Sequence, residues 1–131
     1  MHFLLDANVV IALLNDATSK LARRARREKP ADIAISAIVA HELFYGAFKS
    51  QRATQNVALI DSLQFEVLEF DKEDARQAGE VRALLASRGT PIGSYDVLIA
   101  GQAKSRNLIL VTHNTDEFGR VPGLRLDDWQ T

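Results

Sequence analysis

The chain has 131 residues, 47% of them hydrophobic, which suits one compact domain spanning residues 1–131. Its 16 basic and 17 acidic side chains balance to a formal charge of −1, and the absence of cysteine excludes disulfides, thiolate nucleophiles and zinc–thiolate clusters. No apolar stretch approaches the roughly 20 residues that cross a bilayer, and the N-terminus lacks the pattern of a signal peptide, so we expect a cytoplasmic protein without a membrane partner.

Strand and helix patterns alternate along the chain. Short apolar or β-branched runs predict strands at 3–5, 32–36, 65–70, 108–112 and 123–126. Helical periodicity predicts helices at 9–16, 17–29, 37–50, 54–63, 72–89 and 96–106. The alternation predicts an α/β fold, an αβα sandwich with a mostly parallel central sheet of four to five strands flanked by helices, in which ligands bind at the carboxyl ends of the strands.

Acidic side chains occupy the positions at which such a fold places a ligand. Asp6 directly follows the first strand, and Glu42 lies on or beside the apolar face of the helix that follows the second strand. Asp96 begins a helix after the loop TPIGSY, and the pair Asp116–Glu117 follows the strand LILVT by a few residues. Each also has an ordinary explanation, since an aspartate at a helix start caps the helix or complements its dipole, and a rim glutamate pairs with an arginine.

If these acidic positions converge, their charges require compensation. Carboxylates within a few ångströms of one another raise each other's pKa values unless a hard cation neutralises them. Mg²⁺ or Mn²⁺ suits oxygen ligands and keeps coordination positions for water and a phosphate. The pattern therefore predicts a divalent metal site suited to hydrolysing a phosphodiester with a metal-activated water.

A basic segment at residues 20–29, KLARRARREK, carries six of the basic side chains. An acidic pocket does not attract RNA, so affinity for the RNA backbone must come from cations around it. The best candidates are Arg23, Arg24, Arg26 and Arg27. A solvated helix face is the ordinary alternative, and a surface for a protein partner is another.

Four blocks of the sequence, LLDANVV, SAIVAHELFYGA, GTPIGSYDVLIAG and LVTHNTDEFGRVPGLRLDDW, resemble the motifs of VapC toxins, the PIN-domain ribonucleases of bacterial toxin–antitoxin pairs. The last two blocks are similar to those of VapC enzymes that cleave initiator tRNA in the anticodon region. The resemblance covers nearly the whole chain. It implies a PIN domain, Mg²⁺-dependent cleavage of RNA, a homodimer, a VapB-type antitoxin partner, and binding of operator DNA only through the toxin–antitoxin complex.

The resemblance also implies roles for individual acidic residues. Asp6 and Asp96 match the aspartates that hold Mg²⁺. Glu42 and Glu117 match the residues that complete the acidic shell or position the water. Asp116 is an alternative to Glu117 at the fourth acidic position.

Polar neighbours complete the implied site. Asn8 matches the polar residue of the family's D-x-N pattern, although Ala7 replaces the more frequent threonine between them. Thr112 and Asn114 are candidates for hydrogen bonds to the substrate phosphate or to a bound water. Asn114 also stands where many PIN domains place their last carboxylate, so it stays open as the fourth site.

Two other functions remain open at this point. A phosphoacceptor signalling domain is also α/β, and Asp71 after VLEF with Thr112 after LILV fits it loosely. Such a domain requires an acidic pair near its first strand and a lysine after its last, whereas Asp6 stands alone and GLRL leads to Asp127. The second alternative is a PIN fold that binds RNA or a protein without cutting.

Overall fold

A central sheet organises the molecule, and the computed structural model describes residues 1–131. The five strands are β1 (Phe3–Leu5), β2 (Ile33–Ser36), β3 (Glu66–Leu68), β4 (Ile109–Val111) and β5 (Leu126–Asp127). They lie in the order β3-β2-β1-β4-β5, and every neighbouring pair is parallel. The predicted α/β class is confirmed, with a sheet that is entirely rather than mostly parallel.

Seven helices accompany the sheet. They are α1 (Ala7–Asn15), α2 (Lys20–Arg26), α3 (Ala37–Lys49), α4 (Ala53–Asp61), α5 (Lys72–Ser87), α6 (Ser94–Ser105) and α7 (Thr115–Phe118). Ser36 caps α3 as its sequence position indicates, with its hydroxyl oxygen accepting a hydrogen bond from the Ile38 amide at 3.0 Å. None of the helices combines the length and the apolar composition that a bilayer span requires.

Several elements differ from the prediction. Helix α2 is Lys20–Arg26 rather than residues 17–29, and its N-cap is Ser19. Helix α6 begins at Ser94, two residues before the predicted start at Asp96. Strand β5 is formed by Leu126–Asp127 and not by residues 123–126, because Gly123 adopts a φ of 77° and turns the chain there. Helix α7 was not predicted, since four residues are too few to show a helical period.

The order of the strands determines where a ligand site can lie. From β1 the chain moves outward through β2 to β3, and then crosses back to place β4 on the other side of β1. β1 is the central strand and β4 lies beside it, and Leu4, Leu5, Leu110 and Val111 are fully buried in these two strands. The boundary between β1 and β4 is therefore a topological switch point, the place where parallel α/β sheets leave a crevice at their carboxyl ends.

Helices α5 and α6 are joined by a buried carboxylate, Asp74. It is fully buried and accepts hydrogen bonds from the Asp71 amide (3.0 Å), from Gln102 Nε2 (3.2 Å) and from Arg106 Nη2 (3.0 Å). Asp71 in turn caps α5 by accepting from the Asp74 amide at 2.9 Å. Burial acts to raise the pKa of Asp74, but the hydrogen bonds from Arg106 and Asp71 outweigh it and hold that pKa below its ordinary value.

Replacing Arg106 with methionine is expected to lower the free energy of unfolding by about 2 kcal/mol at pH 7, because the variant leaves Asp74 buried without its cation. Urea unfolding measures the effect, with Arg76→Met as control. Arg76 forms an exposed pair with Glu73, so its loss should cost less than about 0.5 kcal/mol.

The same comparison has a defined pH dependence. Because the folded-state pKa of Asp74 is depressed, its stabilisation is present above the unfolded value and is lost only as the pH falls below 3.8. The difference between wild type and Arg106→Met should therefore be largest near pH 7 and shrink as acid protonates Asp74. Protonation occurs first in the folded variant, where burial without the cation raises the pKa of Asp74, and last in the folded wild type, where that pKa is depressed. A difference that vanished at pH 6 would contradict the role given to Asp74.

Candidate active site

Asp6 lies at the switch point, directly after β1. Its amide donates to the Val111 carbonyl of β4 at 3.0 Å, which fixes the Asp6 backbone against the neighbouring strand. Its Oδ1 accepts from the Ala7 amide at 2.8 Å and so caps α1, while its Oδ2 accepts from Thr112 Oγ1 at 2.9 Å. Burial raises the pKa of Asp6, although the hydrogen bonds from Thr112 and Ala7 oppose the rise. Capping alone therefore does not explain this carboxylate, since one of its oxygens faces β4.

Glu42 comes from α3, the helix that follows β2. Its Oε1 is buried and has no hydrogen-bond partner. Burial, together with the negative charges of Asp6 and Asp96, raises the pKa of Glu42 to about 7. No arginine pairs with it, so the ordinary explanation of a rim ion pair does not hold. A buried carboxylate oxygen without a partner is costly and calls for a ligand.

Asp96 stands in the first turn of α6, whose N-cap is Gly93. Burial, with added repulsion from Asp6 and Glu117, raises the pKa of Asp96 to about 6. The backbone approaches this carboxylate closely, because a Cβ at Gly93 would lie 2.9 Å from Asp96 Oδ2. The side chain is thus held against the loop that precedes its helix.

Glu117, on α7, differs from the other three carboxylates. Its Oε1 accepts from the Gly93 amide at 2.7 Å, and its Oε2 accepts from Asn114 Nδ2 at 2.7 Å. These two hydrogen bonds, with the Gly93 contribution the larger, hold the pKa of Glu117 below its ordinary value. Glu117 therefore lies at the site with its charge already compensated. Its neighbour Asp116 is exposed.

The four carboxylates act on one another electrostatically, so the predicted acidic positions are brought to one region. No three of them are gathered tightly enough to enclose an ion in a ready-made cage. Mg²⁺ needs no such cage, because it is usually held by one or two carboxylates and keeps several waters. The raised pKa values of Asp6, Glu42 and Asp96 and the unpartnered Glu42 oxygen fit a site whose negative charge is completed by a divalent cation.

Of the three predicted polar neighbours, two donate hydrogen bonds to carboxylates of the site. Asn8 is exposed in the first turn of α1, beside Asp6. Thr112 is fully buried; its hydroxyl donates to Asp6 and accepts from the Asn114 amide at 3.0 Å. The Asn114 side chain donates to Glu117. Thr112 and Asn114 therefore act on the carboxylates themselves.

No hydrogen bond or ion pair joins the four arginines of α2 and its C-cap to Asp6, Glu42, Asp96 or Glu117. Arg23 Nη1 donates to the Thr18 carbonyl at 2.8 Å, and Arg26 Nη1 donates to the Ala17 carbonyl at 2.9 Å. Arg24 pairs with Glu28, and its guanidinium lies over the Trp129 ring at 4.7 Å from the centroid. A cavity of about 310 Å³ lies between this helix and the C-terminal residues, lined by Lys20, Arg23, Arg24, Arg27, Asp127, Asp128, Trp129 and Thr131.

Arg120 is the cation beside the acidic residues, and this role was not predicted from the sequence. It is exposed, and its Nη1 donates to the Pro91 carbonyl at 3.1 Å. The Gly93 hydrogen bond is the largest cause of the lowered pKa of Glu117, and the charge of Arg120 lowers that pKa further. Its place three residues after Glu117 in the block EFGR was the available signal.

Comparisons with known proteins agree with this geometry. The PIN domain family matches residues 3–124. The chain is 40% identical over 131 residues to a protein of Shigella flexneri named tRNA(fMet)-specific endonuclease VapC, with 98% of each chain covered. DNA-bound VapBC from Salmonella typhimurium superimposes with a TM-score of 0.94 at 40% identity, over 98% of both chains. VapBC2 from Rickettsia felis, bound to a promoter DNA fragment, gives a TM-score of 0.90 at 34% identity, over 98% of this chain and 99% of that one.

These matches decide between the alternatives left open by the sequence. The phosphoacceptor hypothesis is wrong, because its candidate Asp71 serves as the N-cap of α5 after the edge strand β3 and pairs with Asp74 and Arg106, not with Asp6, Glu42, Asp96 or Glu117. The resemblance to VapC toxins is confirmed over nearly the whole chain. The chain belongs to the PIN-domain family and, within it, to the VapC proteins.

Proposed function

We propose that this protein is the toxin of a toxin–antitoxin pair, a divalent-metal-dependent endoribonuclease that cleaves tRNA in the cytoplasm. The observation that carries the proposal is the meeting of Asp6, Asp96 and Glu42 at the switch point, with raised pKa values and one unpartnered buried oxygen. Initiator tRNA is the first substrate to test, because the Shigella flexneri relative is named for tRNA(fMet).

The roles of the carboxylates follow from their surroundings. Asp6 and Asp96 would hold Mg²⁺, with Mn²⁺ as a substitute. When bound, the cation would lower the pKa of a water and stabilise charge developing on the phosphate. Thr112 holds Asp6 in orientation through its hydroxyl. Glu42, whose buried Oε1 has no partner, would orient the attacking water through its carboxylate.

Substrate binding would use two surfaces. The exposed Asn8 stands beside Asp6 and is placed to contact the scissile phosphate. The basic surface of α2, formed by Arg23, Arg24, Arg26 and Arg27, would contact backbone phosphates further along the RNA. Of these, Arg23 and Arg27 are exposed and line the cavity next to the C-terminal residues.

Replacing Arg23 and Arg27 together with alanine should raise KM for tRNA about tenfold and leave kcat within about twofold, because phosphate contacts act on binding rather than on chemistry. Steady-state cleavage kinetics measure both constants. The matched control removes two exposed arginines, Arg82 of α5 and Arg88 at its C-cap, and should change neither. An equal loss in both double variants would assign the effect to net charge and not to this surface.

The function itself is tested by incubating the purified protein with total tRNA and Mg²⁺, alongside a reaction with EDTA. We expect discrete fragments that require the metal, and sequencing of their ends identifies the tRNA and the cleaved bond. Binding of tRNA without fragments in any reaction would favour the alternative, a PIN module that does not cut. Fragments of equal yield with EDTA would indicate a contaminating nuclease.

A VapB-type antitoxin is the expected partner, since the two similar structures from Salmonella typhimurium and Rickettsia felis are DNA-bound VapBC complexes. We expect operator DNA to bind only when that antitoxin is present. A mobility-shift assay with the toxin alone and with the complex measures this, and a shift by the toxin alone would contradict it.

We also propose a homodimer. Two aromatic side chains of α3, Tyr45 and Phe48, are 60% and 68% exposed, which is unusual for large apolar groups unless they meet another surface. Light scattering of the purified toxin should give twice the mass of the chain. The mass of a single chain at micromolar concentration would refute this part of the proposal.

A further inference from the structure

Glu117 is held by hydrogen bonds from two separate segments of the chain, the loop before α6 and Asn114. Both of its oxygens accept hydrogen bonds at 2.7 Å, one from the Gly93 amide and one from Asn114 Nδ2. Short hydrogen bonds to a charged carboxylate are among the stronger ones in proteins. Glu42, by contrast, has a buried oxygen with no partner. The Glu117 charge is thus compensated by the chain, whereas that of Glu42 still requires a ligand.

A series of hydrogen bonds runs from Asp6 through Glu117 to Gly93, three residues before Asp96. Starting from Asp6, Thr112 Oγ1 donates to Oδ2 at 2.9 Å, and the Asn114 amide donates to that hydroxyl at 3.0 Å. The Asn114 side chain then donates to Glu117, and Glu117 accepts from the Gly93 amide. Gly93 is the N-cap of α6.

Gly93, at the end of this series of hydrogen bonds, lies next to Asp96. Gly93 precedes Asp96 by three residues, and a Cβ on Gly93 would lie 2.9 Å from Asp96 Oδ2. The same loop is fastened a second time, because Arg120 Nη1 donates to the Pro91 carbonyl at 3.1 Å. A movement of Glu117 would therefore shift the loop and, with it, the aspartate.

We propose that Glu117 is a positioning residue, which fixes the separation of Asp6 and Asp96 through Thr112, Asn114 and Gly93, and is not itself a ligand of the metal. This inference rests on one part of the proposed function, namely that Asp6 and Asp96 share a divalent ion. It assigns the segment 112–117 to the construction of the site rather than to contact with RNA.

The two roles of Glu117 are separated by substituting glutamine and alanine. Glu117→Gln keeps an oxygen that accepts from the Gly93 amide. The new NH₂ group of the glutamine can donate to the side-chain oxygen of Asn114 once the exposed Asn114 side chain rotates to turn that oxygen toward it. All the bonds of the positioning role are then retained, while a charged ligand is lost. Glu117→Ala removes the bonds and the charge together.

The affinity of each RNA-free variant for Mn²⁺ is measured by electron paramagnetic resonance. Glu117→Gln should bind Mn²⁺ within about fivefold of wild type, whereas Glu117→Ala should bind it about 10- to 100-fold more weakly, as is typical when a residue that orients metal ligands is lost. Asp96→Asn serves as the example of a lost ligand. The matched control is Glu80→Gln, an exposed glutamate of α5, which should equal wild type. Equal weakening by glutamine and alanine would overturn the proposal.

Two further measurements do not depend on a loaded site. In EDTA, the Gly93 amide should exchange with solvent slowly in wild type and Glu117→Gln, and at least tenfold faster in Glu117→Ala. Should Glu117→Ala fail to fold, Asn114→Ala keeps the carboxylate but removes one of its donors. A positioning role predicts weaker Mn²⁺ binding in that variant, and a ligand role predicts equal or tighter binding.

Failure of this inference is distinguishable from failure of the proposed function. The binding assay contains no RNA, so a protein that binds Mn²⁺ but does not cut tRNA would leave the inference standing. A wild type that binds Mn²⁺ no better than Asp6→Asn and Asp96→Asn would instead refute the shared ion and the inference together.

Discussion

Asp6→Asn is expected to reduce Mg²⁺-dependent cleavage of tRNA by about 10³-fold or more. Asp6 lies at the switch point between β1 and β4, where one of its oxygens is oriented by Thr112. Loss of a metal-holding carboxylate removes several kcal/mol of charge stabilisation, and about 4 kcal/mol corresponds to a factor of roughly 10³ in rate. The measurement is single-turnover cleavage at saturating protein.

Asparagine is the appropriate replacement because it preserves the second role of Asp6. It caps a helix about as well as aspartate, so α1 should begin at the same residue and thermal unfolding should change little. Asp61→Asn, an exposed change at the end of α4, is the matched control and should retain full activity. Full activity in Asp6→Asn would show that this carboxylate does not hold the catalytic metal.

The largest expected effect on stability comes from Gly101, in the middle of α6. A Cβ at this position would lie 2.5 Å from the Ala78 backbone nitrogen and 2.6 Å from the Ala78 Cβ on α5. Backbone atoms cannot turn aside as the end of a side chain can, so Gly101→Ala must separate the two helices. We expect a loss of about 3 kcal/mol in the free energy of unfolding.

Gly79→Ala, on the neighbouring helix α5, is expected to change the free energy of unfolding in the opposite direction. No atom lies within 4 Å of a Cβ at Gly79, and the position is exposed in α5. Alanine there should raise the free energy of unfolding by about 0.5–1 kcal/mol, because it lowers the entropy of the unfolded chain and favours the helix. Chemical unfolding of both variants measures the contrast. Equal stabilisation by both substitutions would mean that α5 and α6 are not in such close contact.

Much of this fold could be predicted from local patterns. Buried runs such as FLL and LILV show strands because a parallel sheet covered on both faces is continuously apolar. The four acidic positions could be predicted from the same local patterns. Three of them follow a strand or begin a helix, and Glu42 lies on or beside the apolar face of the helix that follows β2. Strand β5 was misplaced because the φ of Gly123 depends on the turn that surrounds it.

The contacts that organise the site could not be predicted in this way. Thr112 reaches Asp6 across 106 positions of the sequence, and Glu117 reaches Gly93 across 24. Periodicity describes which face a residue occupies but not which distant atom its side chain meets. Thr112 and Asn114 were therefore assigned to substrate contact from their position, whereas their hydrogen bonds join them to the carboxylates. Arg24 likewise gave no sign in the sequence that it would lie over Trp129.

The proposed function depends on Asp6 and Asp96 sharing one divalent ion, and a crystal of the protein soaked in Mn²⁺ tests this most directly. Anomalous scattering locates manganese without reference to any assumed mechanism. We expect one strong peak between these two aspartates, bound by an oxygen of each, and absent from crystals of Asp6→Asn. Manganese bound elsewhere, or held by only one of the two residues while the other faces solvent, would contradict a metal site shared by Asp6 and Asp96.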